Sequence, residues 1–368
     1  MTTSVPSGSD VPKTTAKIRK FPCGACGADV VWNPGASALK CPYCGAVKEL
    51  PKTDAAIAEK PIEEALRAPR DLGWGLARKT VKCTKCGAST ALDPGISAAS
   101  CPFCATPSVV EAPPDQNMVR PEGLLPFQVD RNSAGAKFRS WVSSLWFRPS
   151  DLKHRAAVTG MQGVYIPFWT FDAATYSSWT AEAGYHYQVQ VQVQENGQTV
   201  TRSETRTRWV PASGVLEKFF DDLPVKASRG LERSLAEGIE PFPTQNLIPY
   251  EPSYLSGFLA EEYAVNVDEA LKVARERMDA EIRSACSREV PGDTQRNLNV
   301  RSVYSGVAYK NALLPVWIAA YAYSGKSFRF LVNGVTGKVD GNAPFSWVKI
   351  SLAVLAVLAV LFLIMSKS

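Results

Sequence analysis

Eight of the nine cysteines in this chain fall into four Cys-x-x-Cys pairs before residue 105, and the ninth, Cys286, stands alone. A Cys-x-x-Cys pair sets two thiolates at the spacing one tetrahedral ion needs, and two such pairs close a shell of four sulfurs. Cys23, Cys26, Cys41 and Cys44 make one set; Cys83, Cys86, Cys101 and Cys104 make the other. In a reducing compartment this pattern reads as metal ligation rather than disulfide bonding. Two structural Zn2+ sites are expected. Redox dithiols and an iron–sulfur cluster are the alternative chemistries of the same sulfurs, although redox pairs rarely face each other in so small a unit. With all four ligands supplied by protein, each site is closed, hence structural rather than catalytic. A glycine after the second cysteine lets the turn take positive φ and aim amides at sulfur; Gly27, Gly45 and Gly87 fit, and Ala105 departs from the pattern.

The two cysteine sets align at a constant offset of 60 residues, with Gly27 on Gly87, Pro34-Gly35 on Pro94-Gly95 and Tyr43 on Phe103. This is an internal duplication, and each copy is expected to be a zinc ribbon whose hairpin turns at Asn33-Pro34-Gly35 or Asp93-Pro94-Gly95. Neither copy has enough core to fold alone, so metal must supply stability. The elements that position them divide as follows: a Ser-, Thr- and Lys-rich lead over 1–20, ribbon one over 21–50, a linker over 51–78 with a short helix around Ile62–Arg67, ribbon two over 79–112, and a body over 113–344.

In the body, Leu124–Val129 reads as a strand, and Ser133–Phe147 as a helix with Phe138, Trp141, Val142 and Leu145 on its buried face. Val164–Phe171 is an aromatic-rich strand. Residues 185–194 alternate strictly, with Tyr185, Tyr187, Val189, Val191 and Val193 on one face; Asn196-Gly197 is a type I′ turn signal and Thr199–Val210 the return strand. A long helix is expected over Val267–Cys286, then strands near Leu314–Tyr323 and Phe328–Val332. From Phe345 to Met365 the chain is almost wholly apolar, about 31 Å as a helix, which matches a bilayer core of about 30 Å. The expected class is therefore α+β and multidomain: two tandem zinc ribbons, an α+β body with antiparallel strands, and one C-terminal transmembrane helix over 345–366. With no apolar signal at the N-terminus, the expected localisation is the inner membrane, single-pass, with the bulk of the chain in the cytoplasm.

No catalytic constellation emerges, and an enzyme is not expected. AYAYSGKS (320–327) matches a loose P-loop, but its tyrosines alternate as in a strand and another strand follows, so it reads as a hairpin turn. FFDD (219–222) runs into Leu223-Pro224 and is no nucleotide-site carboxylate. His154 and His186 lie in polar stretches with no triad or metal context. Cys286, near a helix end, reads as a small buried hydrophobe. Glu261 and Glu262 are sequence neighbours that a helix would point apart.

The formal charge is +6. Two four-thiolate Zn2+ sites at −2 each would bring it to about +2, which does not suggest a strongly cationic nucleic-acid binder. Partner contact is expected instead from the basic collar that includes Lys17, Arg19 and Lys20, and from Arg202, Arg206 and Arg208 on the return strand, an edge hairpin open to strand addition.

The cysteine pairs CGACG…CPYCG, the segment GVYIPFWTFDA (163–173) and LLPVWIAAYAYSGKSFRFLVNGVTGKVDGNAP (313–344) resemble a bacterial family of membrane-anchored proteins with zinc ribbons of the transcription-factor-IIB type. Members are often labelled as similar to the primosomal helicase protein N′ through the ribbon, but this chain lacks helicase motifs. The resemblance implies a membrane recruitment factor, in some relatives linked to membrane stress. The function expected is thus a tail-anchored adaptor that recruits cytoplasmic or membrane-associated proteins and touches lipid through its terminal helix. The alternative is a membrane-tethered nucleic-acid binder.

Overall fold

The fold was analysed in a computed structural model, which describes residues 21–51, 57–67, 79–92, 101–103, 109–112, 120–149, 151, 161–195, 198–323 and 326–365. Ribbon one contributes β1 (Val31–Asn33), β2 (Ala38–Lys40) and β3 (Val47–Lys48), a separate three-stranded sheet. A strap follows, with β4 (Lys60–Pro61) and α1 (Ile62–Arg67). Ribbon two contributes β5 (Lys79–Cys83), β6 (Ser89–Leu92) and β7 (Val109–Ala112). The body holds β8 (Gly123–Leu124), α2 (Arg131–Ser144), β9 (Gln162–Glu195), β10 (Gln198–Lys226), α3 (Arg233–Gly238), β11 (Ile248–Pro249), β12 (Leu259–Glu261), α4 (Val267–Glu289), β13 (Thr294–Tyr323), β14 (Lys326–Asn333), β15 (Val339–Gly341) and α5 (Trp347–Met365).

Strands β4 to β15 form one 12-stranded sheet. The chain is therefore predominantly β, which corrects the expected α+β class. The cause is the length of three strands. β9 alone has 34 residues, about 110 Å at 3.3 Å per residue. It pairs antiparallel with β10 on one side and with β13 on the other. The short strand motifs visible in sequence are pieces of these ribbons: Val164–Phe171 and the alternating run 185–194 both lie within β9.

Between Gly163 and Ala173 every side chain of β9 is buried. On one face Tyr165 packs with Trp317, Phe127, Phe138 of α2, and Trp32 and Leu39 of ribbon one. On the other, Val164, Ile166 and Phe168 pack with Leu235 of α3 and with Ala88 and Phe103 of ribbon two. Each ribbon thus covers one face of the central strands. Above Ala173 the burial alternates. Ala173, Trp179 and Ala181 face α4, whose Val267, Ala270, Ala274, Met278, Ile282 and Cys286 recur three or four residues apart on one stripe. Cys286 is fully buried there, as a small hydrophobe would be.

The terminal helix differs from expectation. α5 begins at Trp347 and runs 19 residues, about 28 Å. The residues just before it are held by the body: Phe345 lies under the Arg148 guanidinium at 3.8 Å, and the Ser346 amide donates to Phe147 O at 2.8 Å. Lys349, in its first turn, sits over the Trp146 ring. Among the described residues no helix is long and apolar enough to cross a membrane. This overturns the expected transmembrane helix over 345–366 and the single-pass inner-membrane localisation. The side chains of Leu352, Leu355, Leu358 and Phe362 on α5 are exposed.

Ribbon two joins the body through β12. Glu261 of β12 pairs with Thr90 of β6 and is fully buried. Ser228 donates to its Oε1 at 2.8 Å, while Oε2 has no hydrogen-bond partner. Burial pushes its carboxyl up from 4.5 to about 8. Between those values the folded chain holds a proton that the unfolded chain has lost. This contribution to stability is complete below pH 4.5 and is lost as pH rises through about 8. Stability should fall across that window with a slope of up to about 1.4 kcal/mol per pH unit. Glu261→Gln should flatten it; an unchanged urea-midpoint profile would exclude Glu261 as its source.

Candidate metal centres

Three knuckles among the described residues are tight turns that the sequence dictates locally. Gly27, Gly45 and Gly87 take φ of 75°, 78° and 75°. In that conformation their amides bond back to the carbonyls of Cys23, Cys41 and Cys83 at 2.9, 3.0 and 3.0 Å. The amides of those three cysteines in turn reach Ala28, Ala46 and Ala88 O at 2.7 to 2.9 Å. The duplication in sequence is therefore also a repeated backbone conformation.

In ribbon one the four sulfurs lie within 4.8 Å of one another. Cys23 Sγ is 3.5 Å from Cys44 Sγ, and Cys26 Sγ is 3.5 Å from Cys41 Sγ. In ribbon two, Cys83, Cys86 and Cys101 cluster within the same limit, with 3.6 Å between Cys86 and Cys101. Cys104 lies outside the described residues. These separations far exceed the roughly 2.05 Å of a disulfide. They approach the edge of about 3.8 Å that sulfurs make around one ion at a metal–sulfur distance of 2.3 Å. None of the described cysteines forms a disulfide. Both clusters can hold a metal ion.

The electrostatics fit a cation. The Cys44 amide, and then that of Tyr43, draw the Cys41 thiol down to about 6. Amides of Ala25 and Cys26 hold Cys23 below its ordinary value. The Ala28 amide also pulls on Cys26, but the Cys44 and Cys41 sulfurs beside it outweigh that and push it up to about 12. Four thiolates cannot share this volume unaided, and a bound dication removes the repulsion. In ribbon two, the Phe103 amide points at Cys101 Sγ at 3.4 Å.

The ribbons are bolted to the body. Trp32 Nε1 donates to Phe127 O at 3.0 Å, its amide donates to Ser256 O at 3.1 Å, and Ser256 Oγ donates to Val30 O at 2.6 Å. Ala88 of ribbon two sits against Gly230 so closely that a Cβ there would lie 2.4 Å from it.

The other sequence-predicted residues lie elsewhere. Lys17, Arg19, Lys20 and His154 are outside the described residues. Arg202, Arg206 and Arg208 lie on β10, opposite Val191, Tyr187 and Tyr185. They therefore share a face with those apolar side chains, and this follows from the register alone. Arg208 lies over the Tyr185 ring at 6.0 Å, and Arg206 pairs with Glu204 at 3.2 Å. His186 bonds Thr207 Oγ1 at 2.9 Å on the opposite, polar face. The loose P-loop is a strand pair with Tyr323 opposite Lys326.

Sequence reasoning missed a buried ion cluster. At a bulge in β10, Asp222 takes φ 51° and meets Lys310 at 2.7 Å, and its amide donates to Asp172 at 2.7 Å. Glu59 of the strap reaches Lys310 at 3.2 Å. FFDD was the signal for it, since an Asp pair interrupting an alternating strand marks a bulge.

No protein-family model matches the chain, and no solved structure matches it. Among curated proteins, the chain is similar to the uncharacterized protein YdjG of Bacillus subtilis (strain 168), with 28% identity over 238 residues. The match covers 63% of this chain and 66% of that protein. None of these results assigns the chain to a family.

Cys41→Ser should lose one metal equivalent per chain by elemental analysis and on the order of 5 kcal/mol of stability. Cys104→Ser should also lose one equivalent; unchanged metal content would remove Cys104 from the ligand set.

Proposed function

We propose that this protein is a zinc-braced, non-catalytic adaptor that binds a protein partner along its projecting β-hairpin. The observation that carries this reading is where the third strand starts. β13 begins pairing at Thr294, opposite Gly184. Beyond that point β9 and β10 continue alone over 185–195 and 198–208, about 36 Å of two-stranded ribbon. α4 ends at Glu289, so the strand face that it covers lower down is bare here. That bare face mixes Tyr185, Tyr187 and Val191 with Arg202, Arg206 and Arg208. Aromatic and arginine side chains are the types that anchor protein interfaces. Both edges of the ribbon also offer backbone groups for strand addition. The arginines favour an acidic segment.

Zinc is the metal we assign to the clusters. Thiolate-only donor sets at tetrahedral spacing suit it, and a closed shell leaves no position for substrate. Its role is to hold the ribbons on the body, so that the hairpin rises from a rigid base.

The test is in-cell cross-linking of the full-length protein, with and without nuclease. A defined set of proteins should survive nuclease. It should be lost in the triple variant Arg202→Glu, Arg206→Glu, Arg208→Glu, while zinc content and circular dichroism stay unchanged. Retention by that variant sinks the hairpin reading. Recovery that is nuclease-sensitive and falls steeply with salt would replace it with nucleic-acid binding.

A further inference from the structure

Where ribbon one meets the body there is a cleft of about 550 Å3, within the 300 to 1,000 Å3 typical of small-molecule sites. Its walls are aromatic and apolar. Trp32 comes from ribbon one, Phe258 from the loop before β12, and Trp317 from β13, with Met161 beneath them. The walls are pinned rather than loose. Trp32 Nε1 is held by Phe127 O at 3.0 Å and Trp317 Nε1 by Val129 O at 2.8 Å, so both indoles, which are largely buried, are fixed in place and keep no donor to satisfy. Phe258 stacks on Phe127 with ring centres 4.2 Å apart. Two glycines let these parts approach. A Cβ on Gly163 would lie 2.4 Å from the Phe258 ring, and one on Gly257, at φ +85°, would lie 2.9 Å from Val31.

The mouth is polar and asymmetrically charged. Arg131 is exposed and makes no ion pair among the described residues. The one acid at the mouth among the described residues, Asp130, is already committed: its carboxylate accepts from the Asn132 and Ser133 amides at 2.8 and 3.0 Å and from Ser133 Oγ at 2.6 Å. These bonds, with Ser133 first, hold Asp130 below the usual carboxylate range. Among the described residues the guanidinium is thus the open charge beside these apolar walls.

We propose that this cleft is a binding site for a small molecule with a planar apolar body and one anionic group, a carboxylate, sulfonate or phosphate. The body rests against the wall that Trp32, Phe258 and Trp317 form, the last two in edge-to-face contact with ring centres 5.9 Å apart, and the anion meets Arg131. Rigid stacking surfaces take the body at little conformational cost, and the guanidinium supplies a charge-assisted bond and thereby selects against uncharged analogues.

The test uses two probes, 2-naphthoate and its uncharged counterpart 2-naphthamide, titrated calorimetrically into the full-length, metal-loaded chain. One saturable site is expected, with 2-naphthoate tighter by about tenfold. Arg131→Ala should abolish that preference and leave naphthamide binding in place. Gln162→Trp, an exposed position at the mouth, should block both probes while metal content and circular dichroism remain those of the parent. Arg283→Ala, far away on α4, should change neither. No saturable heat with 2-naphthoate, equal affinity for the two probes, or binding that ignores both cleft variants would each overturn the proposal.

Discussion

The structure depends on one constraint: the lower halves of β9 and β13 are buried on both faces. A strand pair that carries Tyr165, Trp169 and Trp317 on one side and Val164, Ile166, Leu314 and Val316 on the other cannot leave either side in water. A helix and a cysteine-bearing ribbon meet this need on each face, α2 with ribbon one and α3 with ribbon two. The ribbons are small because their cores are completed by the body, and the body's sheet is covered because the ribbons are there. The cysteine clusters matter for the fold through this reciprocity. With a metal bound they would hold in shape two lids whose apolar inner surfaces are small.

Where the sheet leaves the core, polar groups manage the transition. Asp172, Asp222 and Lys310 sit together at the level where β10 bulges, just above the last doubly buried residues. The strap between the ribbons is tied at the same level, by Glu59 to Lys310 and by Lys60 to Glu122 at 2.7 Å. Burying Asp222 and Lys310 is tolerable because they pair with each other, Asp172 accepts the Asp222 amide, and a bulge re-aims a strand where its pairing environment changes. Above this level α4 covers one face and the other is open, with Tyr176, Val303 and Phe219 exposed. Higher still, neither face is covered. The long strands thus pass from core layer to half-covered sheet to bare ribbon, and the candidate interaction surface lies at the least covered end.

Local features were legible in the residues. The cysteine spacing and the glycine after three of the four pairs specified the described knuckles, because a four-sulfur shell and a positive-φ turn are short-range demands. The stripe from Val267 to Cys286 specified α4, although the structure carries it to Glu289. The alternation over 185–194 and the Tyr323 to Lys326 strand return were legible for the same reason, since period-two patterns and turns are read within a few residues. The tyrosines within AYAYSGKS outweighed its nominal phosphate-loop match, and the strands on both sides agree with them.

What was not legible is long-range. Nothing in the spacing says that β9 runs unbroken for 34 residues. Changes of burial interrupt its pattern, while the bulges lie in its partners β10 and β13, and the interrupted pattern reads as several short strands in an α+β body. The apolar tail matched a bilayer in length when counted from Phe345, but the contacts of Phe345 with Arg148 and of Ser346 with Phe147 start the helix two residues later. Composition determined the cysteine chemistry and the approximate positions of the main elements, because those depend on neighbours in sequence. Only the tertiary structure decided that the ribbons are lids on opposite faces, that Arg208 shares a face with Tyr185, and that Trp32 and Trp317, 285 positions apart by their numbers, wall one cleft. Those relations are set by strand register and by which surfaces must escape water, and neither quantity is carried by any local run of residues.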